Sequence, residues 1–311
     1  MDEDSPPAPA DSRTVDIDGP VHYLDYGGPP RDRRQRPTFV LVHGLGGSHL
    51  NWDLLAPLLT AHGRVLAIDL PGFGLSTPGN RGADVPANVA VLDHFLREAA
   101  GGPAVLVGNS MGAMISLFVA AGAPDRVCGL VLLDPAVPGG GIARDPLVAA
   151  QFGLYAVPVL AGLSQWLYRA RRSPRQRVRD LLRLCGVDPD ALPPELITRS
   201  VTLLEERTEG GLDSSMDRSF LTAARSLLRT LVRPGAYTAA MTAVGCPVLL
   251  VHGDHDRLIP VAAARELARR QPGWRYRELA GAGHMPQLSI PARVAEEIAG
   301  WLADAGLPAR G

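Results

Sequence analysis

Strand-like apolar runs alternate with helix-like segments along most of this 311-residue chain, and that alternation restricts the fold more than any single motif. The runs are Phe39–Val42, Val65–Ile68, Ala104–Val107, Leu130–Leu133, Val248–Val251 and Tyr276–Leu279. Helical segments at about 51–61, 86–99, 111–122, 261–270 and 291–304 separate them, with Pro291 suited to a helix start. Strands bounded by glycine and separated by helices predict right-handed βαβ units. The fold class is therefore α/β, a mostly parallel central sheet covered by helices on both faces. Ahead of the alternation, Thr14–Asp18 and Val21–Tyr26, joined by Gly19-Pro20, predict a hairpin.

The alternation stops over residues 136–233, which hold helical periodicity and no convincing strand. An all-helical stretch inserted between two strands reads as a cap over the strands' carboxyl ends, entered through the flexible connector Pro138-Gly139-Gly140-Gly141. The expected organisation is a disordered acidic, proline-rich tail over 1–13, a core made of 14–135 and 234–311, and the cap between them. Residues 145–168 are long enough to cross a bilayer, but Pro158, Gln151, Gln165 and two glycines interrupt them. They read as a buried or cavity-lining cap segment rather than a transmembrane span. Arg169, Arg171, Arg172, Arg175, Arg177, Arg179 and Arg183 follow, read as a solvated helical face, with weak membrane-surface contact as the alternative.

Composition narrows the function classes. All 31 basic residues are arginine and the net charge is −1, so no overall field attracts nucleic acid. The N-terminus lacks the basic and apolar regions of a secretory signal. Cys128, Cys185 and Cys246 are an odd number at wide spacing, with no metal or redox pattern, which points to reduced thiols in a cytoplasm.

Chemistry enters at Gly108-Asn109-Ser110-Met111-Gly112, a G-x-S-x-G pentapeptide between the strand Ala104–Val107 and a helix. A serine at the tip of a sharp strand-to-helix turn is pushed out of the core with its hydroxyl exposed, and flanking glycines allow strand and helix to cross closely. A serine hydroxyl needs a base and an orienting acid to become a nucleophile. His284, in the turn-rich loop Gly281–Pro286 past the last strand, is placed to be that base. Asp256, a few residues past Val248–Val251, is placed to be the acid, with Asp134 after Leu130–Leu133 as the alternative. Asp254 reads as a turn cap. Two backbone N–H groups should hold the oxyanion: that of Met111 at the helix start, and that of Leu45 in His43-Gly44-Leu45-Gly46-Gly47. His43 reads as a brace for this loop.

These blocks, with Asp69-Leu70-Pro71-Gly72-Phe73-Gly74-Leu75-Ser76, occur in an order and spacing that resemble α/β-hydrolase-fold enzymes over about residues 14–135 and 234–305. The resemblance implies that Asp69–Ser76 is structural. Ser110 separates the chain from the dehalogenase and epoxide-hydrolase branches, whose nucleophile is an aspartate. The wording around Ser110 is similar to hydrolases of carbon–carbon bonds in ring-fission products. Those usually have a further glycine where Ala113 stands, and a tryptophan where Met285 follows the histidine.

The expected activity is cofactor-free, metal-free serine hydrolysis of a carboxylic ester or thioester, through an acyl-enzyme, on an apolar small molecule. Phe152, Leu154, Tyr155, Val159, Leu160, Trp166 and Leu167 are the cap residues expected to line its site. One alternative is carbon–carbon hydrolysis by the same triad, which would call for a cap arginine facing the site. The other is a non-catalytic ligand binder that retains the fold. The sequence leaves the oligomeric state open.

Overall fold

A computed structural model describes residues 10–29, 36–138, 167–168, 170–209 and 213–307. Eight strands form one sheet: β1 Asp11–Asp16, β2 Pro20–Asp25, β3 Thr38–Val42, β4 Arg64–Ile68, β5 Ala104–Asn109, β6 Val127–Leu133, β7 Val248–Gly253 and β8 Arg275–Leu279. Their spatial order is β1-β2-β4-β3-β5-β6-β7-β8. The six strands from β3 to β8 run parallel, while β2 pairs antiparallel with both β1 and β4. The α/β sheet read from the alternation is therefore present. Its amino-terminal hairpin turns through Asp18 and Gly19, both at positive φ. That pairing reaches Asp11↔Asp25, so residues 11–13, assigned to a disordered tail, are strand. Three further backbone pairs extend the hairpin past the point where its apolar pattern fades.

Helices cover both faces. Those between strands are α1 Ala56–Leu59, α2 Val85–Phe95, α3 Met111–Gly122 and α8 Val261–Arg270, and after β8 come a short α9 Pro286–Ser289 and α10 Pro291–Asp304. Side chains alternate across the pleat. Val40, Val42, Leu66, Ile68, Leu106 and Leu132 pack with α2 and α3 on one face. Phe39, Leu41, Val65, Ala67, Val105 and Val107 pack with α1 and α10 on the other. The expected helix over 51–61 is instead a 3₁₀ turn, His49–Trp52, followed by α1. Ser48 and Asn51 form a reciprocal cap on the first piece, and Pro57 sits in the first turn of the second.

Between β6 and β7 the described residues are helical: α4 Pro174–Leu184, α5 Pro194–Glu209, α6 Asp213–Val232 and α7 Gly235–Ala243. The connector from Gly139 and the apolar stretch up to Trp166 lie outside the described residues, as does Arg169. α4 carries Arg175, Arg177, Arg179 and Arg183 of the arginine run, all exposed or part-exposed; Arg179 pairs with Asp190, and Arg172, just ahead of the helix, pairs with Asp180. No described helix is long and apolar enough to cross a membrane.

Candidate active site

The chain passes from β3 to β4 on one side of the sheet and then returns to lay β5 on the other side of β3. This reversal opens a crevice at the carboxyl ends of β3 and β5, where ligands of open α/β sheets bind. Ser110 leaves β5 into that crevice with φ 55° and ψ −116°, a backbone state that costs about 1–3 kcal/mol for a residue with a side chain. Its N–H donates to the Leu133 carbonyl at 3.0 Å, and its own carbonyl accepts from Met114 at 3.2 Å. Those bonds hold the strained turn.

Glycine is required on both sides of the serine. A Cβ at Gly108 would lie 2.5 Å from the Gly112 carbonyl oxygen, and one at Gly112 only 2.1 Å from that of Val42. The first contact is the strand–helix crossing anticipated from the motif. The second lies between α3 and the end of the neighbouring strand. The loop after β3 passes directly over the serine, since a Cβ at Gly44 would stand 3.2 Å from the Ser110 Cβ. Gly47 N–H closes this loop on the Gly44 carbonyl at 3.1 Å, with Gly46 at φ 74° and Leu45 facing the crevice. Met111 opens α3, where backbone N–H groups have no acceptor within the helix. His43 accepts from Leu70 N–H through Nε2 and donates from Nδ1 to the Gly44 carbonyl. Burial pulls its pKa down to about 4, so it stays neutral and braces the loop.

His284 and Asp256 come together from the loops after β8 and β7. His284 Nδ1 lies 2.7 Å from Asp256 Oδ2. Asp256 Oδ1 accepts from Leu258 N–H at 2.7 Å and Ile259 N–H at 3.0 Å. Burial pushes the Asp256 carboxyl up, but the charge and hydrogen bond of His284 outweigh it and hold the group below its ordinary range. Asp254 accepts instead from Gly281 N–H and pairs with His255, tying two loops at the surface. Ser110 and His284 line the same cavity without a direct hydrogen bond, an arrangement common before substrate draws such pairs together.

Asp134 is fully buried behind this pair. It accepts from Gly253 N–H at 2.9 Å and makes no hydrogen bond to His284. Burial first, and then the nearby Asp256 charge, raise its pKa well above the ordinary 3.8, so it is held protonated. His252 lies between the two carboxyls, 3.7 Å from Asp134 and 3.5 Å from Asp256, and donates from Nε2 to the Ile259 carbonyl.

Two positioning contacts escaped the sequence reading. Asn109 Nδ2 donates to the His284 carbonyl at 3.0 Å and to that of Leu133 at 3.2 Å. Its place inside the pentapeptide was the available signal. His284 N–H donates in turn to the carbonyl of Cys185, just past α4, at 2.8 Å. The approach is backbone against backbone: a Cβ at Gly283 would meet the Cys185 oxygen at 2.6 Å and the Gly186 Cα at 2.8 Å. The peptide of His284 is thus held by the core through its carbonyl and by the cap through its N–H.

Asp69, expected to be structural, is a buried hub. It accepts from His22 Nδ1 and His49 Nδ1, each at 2.8 Å, and from the His49 and Leu75 N–H groups. Those bonds overcome the burial penalty and keep it ionised.

The cavity over Ser110 gives the centres of water-sized molecules about 190 Å³. Its described polar lining is Asn51, Asn109, Ser110 and His284, and no charged side chain is among the described lining residues. Of the cap residues expected to line it, Phe152, Leu154, Tyr155, Val159, Leu160 and Trp166 lie outside the described residues, and Leu167 is not in the described lining; the cap part of that lining lies elsewhere. It comes from Leu181 and Leu184 on α4 and from Phe220, Leu227, Leu228 and Leu231 on α6.

A parallel sheet with a strained serine at its switch point and a histidine–aspartate pair on the last two strand-end loops is the arrangement of a nucleophile-elbow enzyme. The chain belongs to the Alpha/beta hydrolase family, whose profile matches residues 39–297. It is 31% identical over 260 residues to a pimeloyl-[acyl-carrier protein] methyl ester esterase of Aromatoleum aromaticum, covering 82% of this chain and 94% of that protein. It is 30% identical over 279 residues to the dihydrolipoyllysine-residue acetyltransferase component of the acetoin cleaving system of Cupriavidus necator. That match takes in 88% of this chain but spans only 64% of the relative's length. Among solved structures, haloalkane dehalogenase DbeA from Bradyrhizobium elkani shares the fold with a TM-score of 0.76 at 22% identity, over 96% of this chain and 99% of that one.

Proposed function

We propose that this protein is a cofactor-free serine hydrolase acting on carboxylic esters or thioesters whose acyl part is apolar. The observation that carries the reading is the 2.7 Å Asp256–His284 bond, set on the same cavity as a serine held in a strained turn. Asp256 occupies Nδ1 of the imidazole, which leaves Nε2 to accept a proton. Ser110 Oγ bonds to the substrate carbonyl carbon as its proton passes to His284. The oxyanion is held by the Leu45 and Met111 N–H groups, the second reinforced by the dipole of α3. Collapse breaks the bond to the leaving alkoxide or thiolate, which takes the proton from His284. Water then attacks the acyl-serine by the same route and frees the acid.

The described lining, without a charged side chain, supports a neutral acyl part over the carboxylate-bearing substrate of a carbon–carbon hydrolase. An asparagine at 109 and a tied-down histidine support catalysis over passive binding, since a binder needs no oriented base. The test is hydrolysis of p-nitrophenyl butyrate by wild type and Ser110→Ala. Loss of at least a thousandfold in kcat is expected; equal rates would end the assignment.

A further inference from the structure

We propose that the acyl group taken by this site is a straight chain of about fourteen carbons, laid along one face of α6; this rests on the ester-hydrolase reading above. Phe220, Leu227, Leu228 and Leu231 all line the cavity that holds Ser110 and His284. Their spacings of seven, eight and eleven residues place them on a single stripe of the helix. Between them Ala224 is fully buried against Leu45 and Phe220, which seats this end of the stripe on the loop over the serine.

The stripe has a reactive end. The Phe220 ring lies on the loop over the serine: a Cβ at Gly46 would be 3.2 Å from Phe220 Cε2, and Gly44 in that loop is the residue beside Ser110. Every described polar lining group belongs to the nucleophile turn, the histidine loop or the segment just after β3, whereas the α6 and α4 walls are apolar throughout. The site therefore recognises a molecule with one polar head and a hydrocarbon tail. From Phe220 to Leu231 the helix advances about 16 Å, at 1.5 Å per residue. An extended chain gains about 1.2 Å per bond, one third of the span of a residue, so that distance takes about thirteen carbons beyond the carbonyl, about fourteen in all.

The experiment is a series of p-nitrophenyl esters from acetate to palmitate, each below its micellar concentration, read as kcat/KM. Each added methylene should raise kcat/KM about threefold to fourfold, up to a maximum at about fourteen carbons. Leu231→Trp closes the distal end and should move that maximum down by two to four carbons, lowering the myristate-to-hexanoate ratio at least tenfold. Leu228→Phe, midway along the stripe, should shift the optimum in the same direction and serves if the tryptophan variant fails to fold. A wild-type maximum at acetate or butyrate, a flat profile, or the same optimum in folded variants would overturn the chain-length inference alone. Absence of turnover above Ser110→Ala for every ester would overturn the hydrolase reading and this inference with it.

Discussion

Replacing Asp134 with asparagine separates the two buried carboxyls behind His284 by a measurement of stability. In the folded protein Asp134 keeps its proton, because burial and the Asp256 charge both oppose ionisation. In the unfolded chain the group ionises near its ordinary 3.8. Above that pH the folded state binds one more proton than the unfolded one. Each further pH unit then costs the wild type about 1.4 kcal/mol of stability, until the folded carboxyl itself ionises. Asparagine removes the titration and suits the site. Asp134 sits at φ 44°, which asparagine tolerates, and its Oδ1 can go on accepting from Gly253. The new amide also brings a donor to a region where His252 Nδ1 and Asp134 Oδ2 are buried without partners. Urea unfolding of both proteins at pH 5, 6, 7 and 8 reads the effect as a difference, in which carboxyls common to both cancel. Asp134→Asn should gain on the wild type as pH rises above the ordinary carboxyl range, by up to about 1.4 kcal/mol per pH unit until the folded Asp134 carboxyl ionises, while retaining ester hydrolysis. A difference that stays constant or shrinks with pH would refute the protonated assignment, and loss of activity matching that of Asp256→Asn would make Asp134 the working acid.

Four further outcomes are expected. Asp256→Asn should lower kcat about ten-thousandfold with little change in KM, because the amide favours the wrong imidazole tautomer; p-nitrophenyl butyrate hydrolysis at pH 8 measures it. Gly112→Ala drives a methyl into the Val42 and His43 carbonyls, at 2.1 and 2.5 Å, and should cost about 3 kcal/mol or more in urea unfolding. Gly122→Ala, at the end of the same helix with open space around it, should instead stabilise by about 0.5–1 kcal/mol. Cys185 lines the cavity, but burial lifts its thiol to about 12, so native protein at pH 8 should resist iodoacetamide there and react only once unfolded.

The sheet was legible because its strands are short apolar runs cut off by glycine and proline, and the bounds of α3, α8 and α10 match the sequence reading. The order of strands was not, since nothing local to β4 says that it pairs with β2 rather than β5. The segment 51–61 misled because apolar spacing there resembles one helix, while the Ser48–Asn51 cap and Pro57 divide it. Ser110, His284 and Asp256 could be picked out because each follows a strand at the same end of the sheet. The role of Asn109 could not, because its partner lies 175 residues away. Nor could the protonation of Asp134, since that depends on how deeply neighbouring strands enclose it.

The bond from His284 N–H to the Cys185 carbonyl makes the helical insert a latch as well as a wall. A cap that swung away at this point would let go of the base's own peptide and leave the imidazole tethered only by Asn109 and Asp256. Opening to admit substrate or release acid would therefore disarm the serine, and re-closing would restore it.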